Sequence, residues 1–233
     1  MIYLQSNDER TLPHHFDVCC VLYGSIEECQ NYRLTTFDEV SQGKFDQLIK
    51  GNLFVGSVEF MREVFNRIGI TDVRVPKNSN RPSEIKLLGD VKNDVGVFIK
   101  PLEIKLFTGF VLDGCHHSIL DTIPNDTKVL VYEPFKEQLL SEWRVYIHRN
   151  KIEDSHCYSG DFKVCPNYEF VEEVISDNVK LNFPNTYVID VGVLESGENV
   201  VVEYNDMWAI GNYGVPNWLY LRMLKTRYFD IVK

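Results

Sequence analysis

No stretch of this sequence reaches the roughly 18 consecutive apolar residues that a membrane-spanning helix needs, which excludes a transmembrane helix. The sequence also lacks an apolar opening run of the secretory kind. Its six cysteines (Cys19, Cys20, Cys29, Cys115, Cys157 and Cys165) include no C-x-x-C pair. A reducing cytoplasm is therefore the expected compartment, with the cysteines packed as small apolar residues. Basic residues are the scarcer charge, 24 Lys and Arg against 34 Asp and Glu, for a net charge of -10 and a pI near 5.1. A broad duplex-DNA surface needs clustered Lys and Arg and is not expected, whereas a local basic pocket for a nucleotide stays open. His14-His15, Cys19-Cys20 and Cys115-His116-His117 are adjacent pairs, without the ligand spacing of structural zinc sites. Repeats and low-complexity tracts are absent. What is present is 44% hydrophobic residues over 233 positions, enough for a sizeable core in one large domain or two small ones.

Along the chain, "VCCVLYG" (18 to 24) and "NLFVG" (52 to 56) read as buried strands, and the second runs into a marked helix. Ser57 is its expected N-cap, Val58, Met61, Phe65 and Ile68 share one face, and Gly69 closes it. From Thr71 to Asn93 the chain turns polar, "VPKNSNRPSE" has no period, and a connecting loop is expected. Four strand-like runs follow: "VGVFIKP" (95 to 101), "KLFTGFVL" (105 to 112), "KVLVYEP" (128 to 134), and a hairpin over 142 to 158 that turns at Arg149-Asn150. A helix is expected over 166 to 178, with Phe170, Val171, Val174 and Ile175 on one stripe, and an aromatic-rich helix over 215 to 232.

Between those helices lies an acidic hairpin, "YVIDVGVLESGENVVVEYND" (187 to 206). A turn centred on Ser196 and Gly197 sets Asp190 opposite Glu203, with Asn205 on the same side beside Val188, Gly192 and Val201. Opposed carboxylates repel, so a positive group is expected between them. Two carboxylates and an amide, with room left for water and phosphate oxygens, suit Mg²⁺, although a solvent-facing hairpin with scattered acids has the same spacing. In "EWRVYIH" alternation puts Trp143, Val145 and Ile147 on a core face and Glu142, Arg144, Tyr146 and His148 on a polar, available face. Lys100 ends an apolar strand and Lys105 follows five residues on. Each is either aimed at an anion or a snorkelling strand-end residue. Thr108-Gly109 is a turn whose backbone N–H groups can approach a phosphate. His148 and His156 are candidates for proton transfer near Arg144, and Tyr158 and Tyr213 fall near the same site.

Taken in order, "VFIKP", "KLFTG", "VLVYEPF", "EWRVYI" and an Asp followed thirteen residues later by Glu-x-Asn resemble the ATP-grasp superfamily. With "GSVEFMREVF" they look most like a small phage and bacterial branch of it, proposed to form amide bonds. The resemblance spans about residues 50 to 214. It implies an α+β ATP-grasp fold, with a short N-terminal α/β lobe over residues 1–90 and a nucleotide-binding lobe of antiparallel sheets over 91–233. By this likeness Lys100 and Lys105 hold ATP phosphates beside Thr108-Gly109. The hinge Glu133-Pro134-Phe135 meets adenine through its backbone, Glu142 takes the ribose hydroxyls, Arg144 faces the phosphates or the acyl phosphate, and Asp190, Glu203 and Asn205 bind Mg²⁺. Lys105 and Arg144 are the implied catalytic residues. Two features depart from the dipeptide-ligase pattern: Val188 stands where an Arg two residues before the metal Asp is common, and "DMW" replaces a small Pro-Gly turn after Glu-x-Asn. The implied reaction is ATP-dependent joining of a carboxylate to an amine, the acceptor being a metabolite, a peptide, a protein or an RNA. A phosphotransferase and a non-catalytic nucleotide-binding protein are the alternatives.

Overall fold

A computed structural model of the chain describes residues 1–6, 31–73, 83–102 and 106–233. The strand expected over 18 to 24 lies outside the described residues, as do His14, His15, Cys19, Cys20, Cys29 and Lys105. The first sheet is parallel, with β1 (Ile2–Gln5) between β2 (Tyr32–Thr35) and β3 (Leu53–Val55). Helix α1 (Phe37–Ser41) begins at a reciprocal cap, in which Thr36 Oγ1 accepts from the Glu39 N–H and the Glu39 carboxylate accepts from the Thr36 N–H. Helix α2 (Val58–Asn66) begins where the sequence places it, because Ser57 Oγ accepts from the Phe60 N–H at 3.2 Å. Beyond its end Gly69 takes φ 80°, the left-handed conformation that lets the chain turn away.

A second, small sheet is antiparallel. It contains β4 (Ser83–Leu87), β5 (Val97–Pro101), β6 (Phe110–Leu112) and β7 (Lys128–Tyr132) in the order β4-β7-β5-β6, with the helical turn α3 (Leu88–Val91) after β4. Its own core joins Leu88 and Val91 to Ile99, Leu112, Ile123, Val129 and Val131. This corrects the loop expected from Thr71 to Asn93, since β4 and α3 fall inside it. All five β4 residues are exposed on an edge strand, so neither face carries an apolar alternation to read.

The third sheet carries the longest strands: β8 (Leu139–His148), β9 (Lys151–Gly160), β10 (Thr186–Leu194) and β11 (Asn199–Asp206), in the order β11-β10-β8-β9. Arg149 and Asn150, at φ 53° and 61°, form the expected tight turn between β8 and β9, a mirror-image turn that follows the strand twist. One face packs Val145, Ile147, Ile189, Val191 and Val201 against Val171 and Ile175 of α4 (Tyr168–Lys180). The other face carries Tyr146 and Val188 into a core shared with α2, the first sheet and the closing helix α5 (Asn217–Ile231). The face read from sequence as polar and available is therefore covered: Arg144, Tyr146 and His148 are all buried. Nine of nine β10 residues are buried, as befits one of the two inner strands of the large sheet. Among the described residues no helix is long and apolar enough to cross a membrane.

The turn from β10 to β11 differs from the two-residue turn expected. Leu194 N–H donates to Glu198 O, leaving Glu195, Ser196 and Gly197 as a three-residue turn with Gly197 at φ 87°. That shifts the register by one, and a bulge at Val202 shifts it back, so Asp190 does face Glu203 and Val188 faces Asn205. Val201 consequently pairs with Val191 on the α4 side. Beside Gly192 lie Val200 and Val202 instead.

Candidate active site

One cross-strand rung of the large sheet holds four polar residues in line: His156 on β9, Arg144 on β8, Asp190 on β10 and Glu203 on β11. Direct antiparallel pairing puts all four side chains on the face that looks toward α5. Arg144 donates from Nε to Asp190 Oδ1 at 2.9 Å and from Nη2 to Oδ2 at 2.8 Å. The Asn205 amide donates to the same Oδ2 at 3.1 Å. Both charged partners are nearly out of water, at 7% and 3% exposure. Burial raises the Asp190 carboxyl and the Arg144 hydrogen bonds oppose it, while Glu203 adds a further upward push. Burial likewise works against the Arg144 charge, but the Asp190 contact outweighs it and leaves the guanidinium above its ordinary value. Only the ionised pair uses both hydrogen bonds, so Asp190 is a carboxylate while Arg144 faces it.

The small sheet closes the site from the opposite side. Lys100, second from the end of β5, reaches across to Glu203 Oε1 at 2.5 Å. The positive group expected near the opposed carboxylates is thus supplied twice, by Arg144 on Asp190 and by Lys100 on Glu203. Gly109 lies against this lysine, and a Cβ there would come within 2.9 Å of Lys100 Cβ and 2.6 Å of the Phe98 ring. Thr108 is exposed next to it. The hinge Glu133-Pro134-Phe135 is the first part of the link from β7 to β8, with Glu133 exposed and the other two half-buried. Glu142, two residues before Arg144, accepts from the Tyr158 hydroxyl at 2.7 Å. Burial, the Asp190 charge and that hydrogen bond all push the Tyr158 hydroxyl well above its ordinary range.

Sequence reasoning noted Tyr158 and Tyr213 without a reason to single them out, and the structure supplies one. The Arg144 guanidinium carbon lies 4.1 Å from the Tyr213 ring centre and 5.6 Å from that of Tyr158, and the two rings meet edge to face at 5.5 Å. A contact between a buried guanidinium and a partly exposed ring contributes about 0.5–1 kcal/mol. His148 is not part of the site. It sits four residues along β8 from Arg144, about 13 Å away, held by Thr226 Oγ1 at 3.0 Å and Glu153 at 3.4 Å. His156 shares the rung but faces Gly214 and Asp154.

The two departures from the dipeptide-ligase pattern also acquire positions. Val188 is buried between Tyr146 and Asn205, and the arginine that meets Asp190 comes from the neighbouring strand. In "DMW", Asp206 accepts two hydrogen bonds from Arg227 of α5 at 2.7 and 2.6 Å, and Trp208 packs edge-on against Phe65. The segment thus anchors β11 to the closing helix. Cys115, His116 and His117 line a separate cavity of about 750 Å³ at the far end of the small sheet.

Two solved structures share the fold of this chain. The D-alanine–D-alanine ligase from Bacillus anthracis complexed with ATP is similar at 12% identity, over 99% of this chain and 97% of that one, with a TM-score of 0.55. The N5-carboxyaminoimidazole synthase from Aspergillus clavatus, in complex with ADP and 5-aminoimidazole ribonucleotide, is similar at 10% identity, over 96% and 76%, with a TM-score of 0.51. More particularly, the chain belongs to the family described as ATP-grasp domain, R-two-K clade, family 2, which matches residues 79–223. No curated protein matches the sequence.

The donor chemistry around Asp190 fits the metal that this fold implies. Among the described residues no three His, Cys, Asp or Glu side chains gather into a cage. Two carboxylates and an amide on adjacent strands instead form a partial set of oxygens, the kind Mg²⁺ completes with water and phosphate. Lys100 already holds a cationic group against Glu203.

Proposed function

We propose that this protein is an ATP-dependent carboxylate–amine ligase that works through an acyl phosphate. The observation that carries the reading is the Arg144–Asp190–Glu203 rung, closed by a lysine from the opposite sheet. In this reading Asp190, Glu203 and Asn205 hold Mg²⁺, which supplies charge compensation at the phosphates when bound. Lys100 exchanges Glu203 for a phosphate oxygen, and Lys105 joins it there. The backbone of Thr108 and Gly109 approaches the phosphates, the backbone of Glu133, Pro134 and Phe135 borders the adenine, and Glu142 takes the ribose hydroxyls. Arg144 holds Asp190 ionised and oriented, leaving Nη1, which donates to no described residue, toward the transferring group.

Chemically, a carboxylate oxygen attacks the γ-phosphorus in line and the bond to the β-bridging oxygen breaks, releasing ADP. A neutral amine then attacks the acyl carbon, its proton passes to solvent, and the carbon–oxygen bond breaks to release phosphate. The protein contributes placement and fixed charge, which is what such transfers need. Carboxylate, amine and the size of the acceptor are left to experiment. Incubation with Mg-ATP, a pool of cell carboxylates and hydroxylamine tests the reaction, because hydroxylamine intercepts acyl phosphates. Formation of ADP, phosphate and hydroxamates together is the expected result. A stable phosphorylated product without hydroxamate would make the protein a phosphotransferase, and nucleotide binding without any turnover would make it a binding protein.

A further inference from the structure

Tyr213 stands in a conformation that its residue type disfavours. Its φ is 49°, in the left-handed region that a bulky side chain rarely adopts, and its ring is half exposed. The loop around it is tied down at several points. The buried Tyr146 hydroxyl donates to Gly211 O and Asn212 O, the Tyr220 hydroxyl donates to Ile210 O at 2.5 Å, and the Gly214 N–H donates to Asn212 Oδ1 at 2.8 Å. Gly211 has no side chain where a Cβ would lie 2.8 Å from the Tyr213 ring, and Gly214 takes φ 102°. These restraints converge on one outcome, the Tyr213 ring laid over the Arg144 guanidinium. The Tyr213 hydroxyl makes no hydrogen bond among the described residues, so the ring itself is what the loop delivers.

A guanidinium on a flexible stem has many rotamers, and only one places both Nε and Nη2 on the Asp190 carboxylate. Asp190 pins one edge of the group and Tyr213 covers one face, with Tyr158 beside it. We propose that Tyr213 is a positioning residue: its ring locks Arg144 onto Asp190 and thereby fixes the carboxylate orientation with which the site receives a divalent cation. This rests on the metal role given to Asp190 under Proposed function. Strain held at a site by an over-determined loop is the form in which a fold stores such pre-organisation.

Mn²⁺ is a suitable probe, because the six-line electron paramagnetic resonance signal of the free ion reports how much is bound. Titrations use the protein loaded with the non-hydrolysable analogue AMPPNP, and AMPPNP affinity is measured separately in EDTA. Tyr213→Phe should bind Mn²⁺ within twofold of the parent, since the ring is kept. Tyr213→Ala should bind it at least tenfold more weakly, with affinity for metal-free AMPPNP unchanged within twofold. Gly211→Ala is the second variant, expected to displace the ring and weaken Mn²⁺ similarly without altering Tyr213. Parent-like Mn²⁺ binding by both Tyr213→Ala and Gly211→Ala would overturn the proposal, as would an equal loss of Mn²⁺ and metal-free nucleotide binding. A parent protein that binds no Mn²⁺ with AMPPNP would instead remove the metal reading itself, and this inference with it.

Discussion

In the large sheet Asp190 lies on a strand whose nine residues are all buried, held by two hydrogen bonds from a buried arginine and one from Asn205. In the small sheet Lys100 lies near the end of a five-residue strand, and among the described residues its ion pair is with a glutamate whose side chain is 43% exposed. The large sheet thus presents an electrostatic arrangement made at folding, with no reorganisation left for the moment of binding. The small sheet presents a cation on a long stem whose contact is worth at most about 1 kcal/mol and is readily exchanged. Under the function proposed above, the difference suits a site that would hold a metal ligand still while a nucleotide enters between the sheets.

The largest expected effect breaks the fixed side. Arg144→Ala leaves a buried carboxylate without its partner and should cost about 3–5 kcal/mol in urea denaturation. Arg144→Met combined with Asp190→Leu removes both charges and should cost less than Arg144→Ala alone. If the double variant is the less stable, the pair is not the isolated buried unit described above. A smaller effect lies at the end of β8 in the same sheet, where His148 is buried between Glu153 and Thr226. Burial lowers its pKa despite the Glu153 contact that raises it, so the unfolded chain binds the proton more readily than the folded one. Stability from this group is present above its unfolded pKa and is lost as pH falls through the folded value. Urea midpoints at pH 7.5 and 5.5 should therefore differ less in His148→Gln than in the parent.

Much of the fixed side was legible in the sequence, though for reasons only partly right. The two long hairpins alternate over many residues, Ser57 and Gly69 mark their helix by cap chemistry, and Asp190 does face Glu203. The last agreement needed two one-residue shifts that cancel, the three-residue turn and the bulge at Val202, and neither leaves a trace in an alternating pattern. The pairing of Arg144 with Asp190 was not legible, because it depends on the register of strands 46 residues apart. Nor was the contact of Lys100 with Glu203, 103 residues apart and on different sheets. β4 escaped notice because an exposed edge strand carries no buried face to read.

The claim that the cleft between the sheets holds Mg-ATP, with Lys100 leaving Glu203 for a phosphate, is tested most directly by calorimetric titration of Mg-ATP into the parent and Lys100→Met. Methionine keeps the apolar stem and removes the cation. Mg-ATP should bind Lys100→Met at least tenfold more weakly, about 1.4 kcal/mol, with adenosine binding nearly unchanged and folding stability altered by less than about 1 kcal/mol. Equal Mg-ATP affinity in the two proteins would contradict that claim, and would leave Lys100 as a strand-end residue resting on Glu203.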